Sequence, residues 1–331
     1  MKVTVVGAGV MGLATARALA LEEHDVVVHE QFRIGHKRGS SHGRSRIVRL
    51  AYPEVEWVRL AEEAMRGWRE LESEVDEPLL ELYGLLELVE DAAQSSRDAL
   101  ETCGVEHELL SAEEARARWP IGVPDGWSVL VQPEAGIIRA DLAQRALLRS
   151  ALDYGAELRE ETRVGSLDDL DADVVVVTAG AWARELLGRA GIELPVQPTR
   201  ETLAYLRRDG EPLPSIVWLD PATRDHAMYS LRDPSYGLKV GVHHAGNETD
   251  PGEAGEPDPE LLERISEWVA MTYLDADPEP VGAETCLYTN TADESFILER
   301  HGRYVVGSAC SGHGFKFAPA VGRRLAALAT E

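Results

Sequence analysis

The sequence predicts an α/β fold, α+β overall: a Rossmann-like, doubly wound sheet assembled from separated segments, with an antiparallel sheet inserted between them. Three observations predict it. A buried-strand run, Val3-Thr4-Val5-Val6, leads directly into Gly7-Ala8-Gly9-Val10-Met11-Gly12. A second run, Val174-Val175-Val176-Val177, is apolar enough for a parallel sheet covered on both faces, and it feeds a turn at Gly180. Residues 194–245 alternate between apolar and polar, as an antiparallel sheet with one wet face does.

The elements follow in chain order. Leu13 to Ala20 reads as a helix, and Val26 to Val28 as a second strand that ends near Glu30, 18 residues after Gly12. Strand, tight turn, helix, strand and acid make the context of a dinucleotide site. Gly7, Gly9 and Gly12 let the backbone approach a pyrophosphate. The helix start at Val10 and Met11 offers free N–H groups and a positive dipole end. Glu30 can accept a hydrogen bond from a ribose hydroxyl. The fingerprint alone does not separate NAD from FAD. Residues 54–73 carry Val55, Val58, Ala61, Met65 and Trp68 at helical spacing. Ser111 to Glu114 is a capping-box start to a short helix stopped by Pro120. Residues 140–151 read as a helix, and 156–158 and 163–167 as short strands. Within the alternating region, 216–218 and 238–243 are strands. Residues 246–260, acidic and rich in Gly and Pro, form a solvated loop. This order assigns residues 1–75, 138–192 and 292–331 to a nucleotide-binding domain and 76–137 and 193–291 to a substrate domain.

Composition narrows the function. A chain of 331 residues is long enough for two domains. Its net charge of −25 repels phosphates, so no nucleic acid is expected as partner. No apolar stretch approaches a membrane helix, so no membrane association is expected. With a first strand beginning at residue 2, no leader is expected. Cys103, Cys286 and Cys310 are odd in number and far apart, which fits free thiols and a reducing cytoplasm. No metal-ligand spacing and no Ser-His-Asp signature is evident.

Only four lysines occur: Lys2, Lys37, Lys239 and Lys316. A chain that avoids lysine so strongly reserves some of the few for chemistry. Lys239 lies mid-strand between Gly237 and Gly241. Lys316 closes the run Ser311-Gly312-His313-Gly314-Phe315-Lys316-Phe317, whose glycines leave the main chain open to a flat ligand.

With both ends in view, the chain resembles the FAD-dependent amine oxidases typified by monomeric sarcosine oxidase and N-methyltryptophan oxidase, within the D-amino acid oxidase superfamily. Four blocks carry the resemblance: Gly39 to Arg49, Gly237 to His243, Cys286 to Thr289, and Ser311 to Phe317. It implies an FAD-binding domain with a substrate domain, and FAD attached through the Cys286 sulfur. It implies that Arg49 and Lys316 clamp a substrate carboxylate, a guanidinium gripping with two parallel bonds and an ammonium adding a point charge. Arg46 and Lys239 would lie on either flavin face, with Lys239 promoting reaction with O2. His243, Tyr229 and Tyr288 would line the substrate cavity. Ser40, His42 and Ser45 would face the flavin, Ser45 standing where the family usually has threonine. Val164, Gly180, Trp182, Gly312, His313, Gly314, Phe315 and Lys316 complete the expected cofactor contacts.

The implied reaction is oxidation of a C–N bond in an N-methyl or cyclic amino acid, with O2 reduced to hydrogen peroxide by a monomeric enzyme. Two alternatives stay open: a flavin dehydrogenase passing electrons to a carrier, and a glycine or D-amino acid oxidase with non-covalent FAD. The chain ends at Glu331, where the family leads one to expect a longer tail. The stretch from Trp218 to Tyr236, expected to shape the cavity, departs from the family, so the substrate is not legible.

Overall fold

A computed structural model describes residues 1–90, 93–219 and 227–331. The chain runs β1 (Lys2–Val6), α1 (Val10–Leu21), β2 (Asp25–His29), β3 (Ser45–Val48), α2 (Val55–Val75), β4 (Leu80–Glu81), β5 (Leu85–Val89), α3 (Gln94–Cys103), β6 (Glu108–Ser111) and α4 (Ala112–Arg118). It continues through β7 (Ser128–Gln132), β8 (Gly136–Arg139), α5 (Ala140–Asp153), β9 (Glu157–Arg159), β10 (Val174–Val177), α6 (Ala183–Arg189), β11 (Gln197–Arg207), β12 (Ser215–Leu219) and β13 (Met228–Asp233). Last come β14 (Gly237–Val242), β15 (Asn247–Glu248), α7 (Pro259–Thr272), β16 (Gly282–Asn290), β17 (Ile297–His301), β18 (Tyr304–Ser308) and α8 (Ala318–Thr330).

The two valine-rich runs are neighbours in one sheet, ordered β17-β18-β10-β1-β2-β9. Val3 pairs in parallel with Val174 on one side and Val26 on the other. Alternate β1 residues serve opposite faces. Val3 and Val5 pack towards Leu13, Ala16 and Leu19 of α1, while Val6 joins Val175, Val177 and Leu187 on the α6 side. Leu13 and Leu19 are fully buried, each contributing about 1.5–3 kcal/mol. Helices α1 and α8 cross so closely that a Cβ on Gly322 would sit 2.6 Å from the Ala14 backbone.

The alternating region supplies β11 to β14 of a nine-stranded sheet, ordered β15-β11-β14-β13-β12-β5-β7-β6, with β16 also pairing β11. It is antiparallel except where β12 runs beside β5. Ile265, Trp268 and Val269 of α7 cover its outer face. A small sheet, β3-β8-β4, packs beside β13 of the nine-stranded sheet.

Two expectations change. Residues 163–167 do not form a strand. The Gly165 and Leu167 carbonyls accept instead from the Arg189 and Arg303 guanidinium groups, so arginine side chains replace a ladder partner. The loop at 246–260 is also less uniform than its composition suggests. Asn247 and Glu248 pair with Arg200 and Thr199, and Asp258 caps α7 by accepting from the Glu260 N–H at 2.9 Å.

Candidate active site

One cavity of about 700 Å³ lies between the C-terminal ends of β1, β2 and β10 and the face of the β11–β14 sheet. Every site residue expected from the sequence lines it except Gly12. Gly12 acts one layer behind: a Cβ there would collide with the Gly7 carbonyl, so its role is close packing of the turn against α1. Gly7 has φ +102°, a conformation that disfavours any side chain.

At the nucleotide end, α1 begins at Gly9 with no side chain capping it. Val10 and Met11 of its first turn line the cavity, and the Val10 N–H donates to Ser41 Oγ at 3.0 Å. Such an uncapped end suits a pyrophosphate. Glu30 is buried and accepts from the Ala8 and Phe32 N–H groups, each at 2.9 Å. Those bonds aim the carboxylate and leave lone pairs for ribose hydroxyls.

Further in, Arg46 Nη1 donates to the Ser45 carbonyl at 2.9 Å, and Lys239 Nζ donates to the same oxygen at 3.3 Å. The two cations therefore lie on one side of the cavity. A ring cannot separate them, contrary to the expectation of one cation per flavin face. Lys239 is 3% exposed. Burial, helped by the Arg46 charge, pulls its ammonium down to about 7. Cys286 projects from β16 beside them, and burial pushes its thiol up to about 11 against the pull of Arg46 and Lys239. Cys310 also lines the cavity, its sulfur accepting from the Thr289 N–H at 3.4 Å. Cys103 lies away from the cavity, in α3.

Several buried polar atoms around this cavity have no partner within the protein: both ring nitrogens of His42, Ser45 Oγ and His313 Nδ1. Buried polar groups rarely stay unpaired. Orphans along the wall beside Arg46 and Cys286 fit a polar ring such as a flavin. His42 is held near 4 and His313 near 3, chiefly by burial, so both are neutral.

At the far end, Arg49 and Lys316 converge on one aromatic face. Arg49 Cζ lies 4.5 Å and Lys316 Nζ 5.6 Å from the Tyr52 ring centre. Burial, with the neighbouring Arg49 charge, drives the Lys316 ammonium well below its usual range. Its Nζ donates to the His313 carbonyl at 2.6 Å. Trp68 holds the turn in place by donating from Nε1 to the Lys316 carbonyl at 2.8 Å. Glu87 stands 3.9 Å from Arg49. An anion between the two side chains would relieve their repulsion and restore the charge on Lys316.

The remaining wall is aromatic. His243 Nδ1 shares a proton with Tyr288 Oη at 3.2 Å. Burial and nearby His244 keep His243 uncharged. Tyr229 meets its ring edge-on, and Gly241 makes room, since a Cβ there would lie 2.5 Å from Tyr229 Oη. Gly312 leaves space for both His243 and Tyr288.

Sequence reasoning missed Ser41, Tyr52, His244 and Glu294. Tyr52 follows Arg49 by three residues, a spacing that could have suggested it. His244 and Glu294 meet only through the fold. With His243 they bring three ligand-type atoms within 4.8 Å of one another, although no metal spacing is evident in the chain. The variable segment 218–236 contributes Leu219, Ala227, Tyr229 and Leu231 to the wall, and its central part, 220–226, lies outside the described residues.

Comparison with known proteins agrees with this geometry. The family model described as FAD dependent oxidoreductase (DAO) matches residues 2–328. Human peroxisomal sarcosine oxidase is 36% identical over 353 residues, covering 97% of this chain and 90% of its own. Monomeric sarcosine oxidase of Bacillus sp. (strain B-0618) is 30% identical, with 99% and 91% covered. Among solved structures, NikD, described as an unusual amino acid oxidase essential for nikkomycin biosynthesis, superposes with TM-score 0.88 at 28% identity, covering 100% of this chain and 94% of its own. The dinucleotide turn, the orphaned polar wall and the match over almost the full length agree, and the chain belongs to the DAO family of FAD-dependent oxidoreductases.

Proposed function

We propose that this protein oxidises the C–N bond of a secondary amino acid, N-methyl or cyclic, such as sarcosine. The product is an imine that hydrolyses in water, and O2 becomes hydrogen peroxide. One observation carries the reading: the Arg49 guanidinium and the Lys316 amine, both largely buried, lie over the same Tyr52 ring in the same cavity as Lys239 and Cys286.

Bound FAD supplies the two-electron acceptor. Residues 1–75, 138–192 and 292–331 form the FAD-binding domain and also lend Arg49 and Lys316 to the substrate, while 76–137 and 193–291 form the substrate domain and lend Cys286 to the cofactor. Arg49 grips the carboxylate with two parallel bonds while Lys316 adds a third. The positive surroundings and the uncharged His243 disfavour an ammonium ion, so the amine binds neutral with its lone pair available. Tyr229 and Tyr288 fix the alkyl groups. Lys239, beside Arg46, provides positive charge where electrons pass to O2. Cys286 would hold the cofactor covalently by a thioether to its 8α carbon, the thiol proton and one 8α hydrogen being lost and the flavin itself taking the two electrons, which O2 then removes. Burial holds the Cys286 thiol up at about 11, and Arg46 and Lys239 pull the other way, towards the thiolate that this bond requires. Three free thiols suit a reducing compartment, the cytoplasm, and no helix among the described residues is long and apolar enough to cross a membrane. A monomer working on a small amino acid fits a cavity enclosed by a single chain.

Oxygen uptake with sarcosine, N-methyl amino acids, proline and pipecolate tests the reading. Uptake matched by peroxide on a secondary amino acid supports it. Turnover only with an artificial dye would make the protein a dehydrogenase, and activity confined to glycine or D-amino acids would make it a primary-amine oxidase.

A further inference from the structure

We propose that His243, His244 and Glu294 form a site for one divalent transition-metal ion of the zinc type at the solvent edge of the cavity, and that an ion held there excludes the amino acid. The second half rests on the proposed role of His243 as a substrate wall; the first does not.

Successive strand residues normally point to opposite faces. His243 and His244 follow β14 directly, yet their ring centres are 4.1 Å apart. The cause is His244, whose φ of +56° turns its ring back towards its neighbour. Glu294, in the turn after β16, has φ +61° and reaches the same point. Left-handed backbone is uncommon outside glycine, although histidine adopts it more often than most residues. Their ligand atoms lie within 4.8 Å of one another. Zinc bonds of about 2.0–2.2 Å require these atoms to draw together by about 1 Å. The Glu294 side chain, 57% exposed, is free to make that adjustment.

The donor set selects the ion. Two imidazoles and one carboxylate are the ligands of an open zinc site with a fourth position for water, and they suit magnesium or calcium poorly. Tyr288 Oη engages Nδ1 of His243, leaving Nε2 to bind, as outer partners of metal histidines do. His244 Nε2 faces Glu294 Oε1 at 3.4 Å, so these two groups already meet as an ion pair. The groups facing the site are Arg49, Lys316 and His313 on the inner side and Glu294 on the outer.

The test uses flavin-loaded protein stripped of metal with chelator, titrated by calorimetry with zinc chloride in the absence of any amine. One zinc ion per chain with micromolar affinity is expected, with no heat from magnesium. His244→Gln and Glu294→Gln should each weaken zinc binding by more than about tenfold, and Tyr288→Phe by about tenfold. Thermal melting and the flavin spectrum check that each variant is folded. With an active substrate, zinc should raise KM and leave kcat unchanged. No saturable zinc binding, or equal binding by the wild type and both ligand variants, overturns the site. Binding that lowers kcat at constant KM overturns the exclusion. Because calorimetry needs no turnover, the site can be established even if no amine is oxidised.

Discussion

Replacing Lys316 with methionine separates substrate recognition from folding. The ammonium is 6% exposed, and burial together with Arg49 disfavours its charge until an anion arrives. Methionine fills similar volume and removes that penalty. The Trp68 bond to the Lys316 backbone carbonyl survives, because it does not use the side chain. The melting temperature should therefore hold or rise. Binding should suffer: a charged hydrogen bond contributes about 1.5–3 kcal/mol, and each 1.4 kcal/mol is about a factor of ten. KM for the amino acid should rise by roughly 10–150-fold. Arg49→Lys, which gives up the paired guanidinium bonds, should act over a similar range. The double variant should lose less than the product of the two, since both groups share one carboxylate. The assay is steady-state oxygen uptake, run on the amino acid and on the same amine without its carboxylate. Activity on the plain amine should change by no more than about twofold. An equal proportional loss on both substrates would refute the carboxylate reading, and a melting point several degrees lower would make Lys316 structural.

Acid should destabilise the fold through its buried histidines. His42 titrates near 4 in the folded chain and near 6.5 when unfolded. The unfolded state binds protons first, so stability is lost as pH falls from 6.5 towards 4, by about 3 kcal/mol for His42 alone. His42→Asn should flatten the melting curve over that window, and an unchanged slope would contradict the assignment. Lys239→Met should leave flavin reduction by substrate nearly intact and slow reoxidation by O2 roughly 10²–10³-fold in stopped-flow absorbance. Equal losses in both half-reactions would show Lys239 to be structural. Acid precipitation should carry yellow colour into the wild-type pellet and leave it in the supernatant for Cys286→Ser. Colour in both pellets would move the attachment to another residue, Cys310 first.

Where the sequence could be read, local physics decided the structure. The β1–α1–β2 unit and β10 were legible because valine-rich runs meet glycine turns at the spacing of a parallel sheet. Lys239 and Lys316 stood out through the rarity of lysine, and the fold brings both to one cavity. Residues 163–167 misled because their β-type composition is outweighed by the guanidinium groups of Arg189 and Arg303, distant in sequence. The pairing of β12 with β5, over a hundred residues apart in the chain, leaves no periodic trace. Tyr52 and Glu294 escaped notice for a related reason. An aromatic residue after a strand and an acid in a turn are ordinary until folding sets one beneath two cations and the other beside two imidazoles.

Anaerobic mixing of the flavin-loaded enzyme with a secondary amino acid, set beside its decarboxylated amine, tests the central claim most directly. The account predicts rapid bleaching of the flavin band by the amino acid, slow or negligible bleaching by the plain amine, and recovery of the band when O2 is admitted. Bleaching by both compounds at equal rates, or by neither, would contradict it.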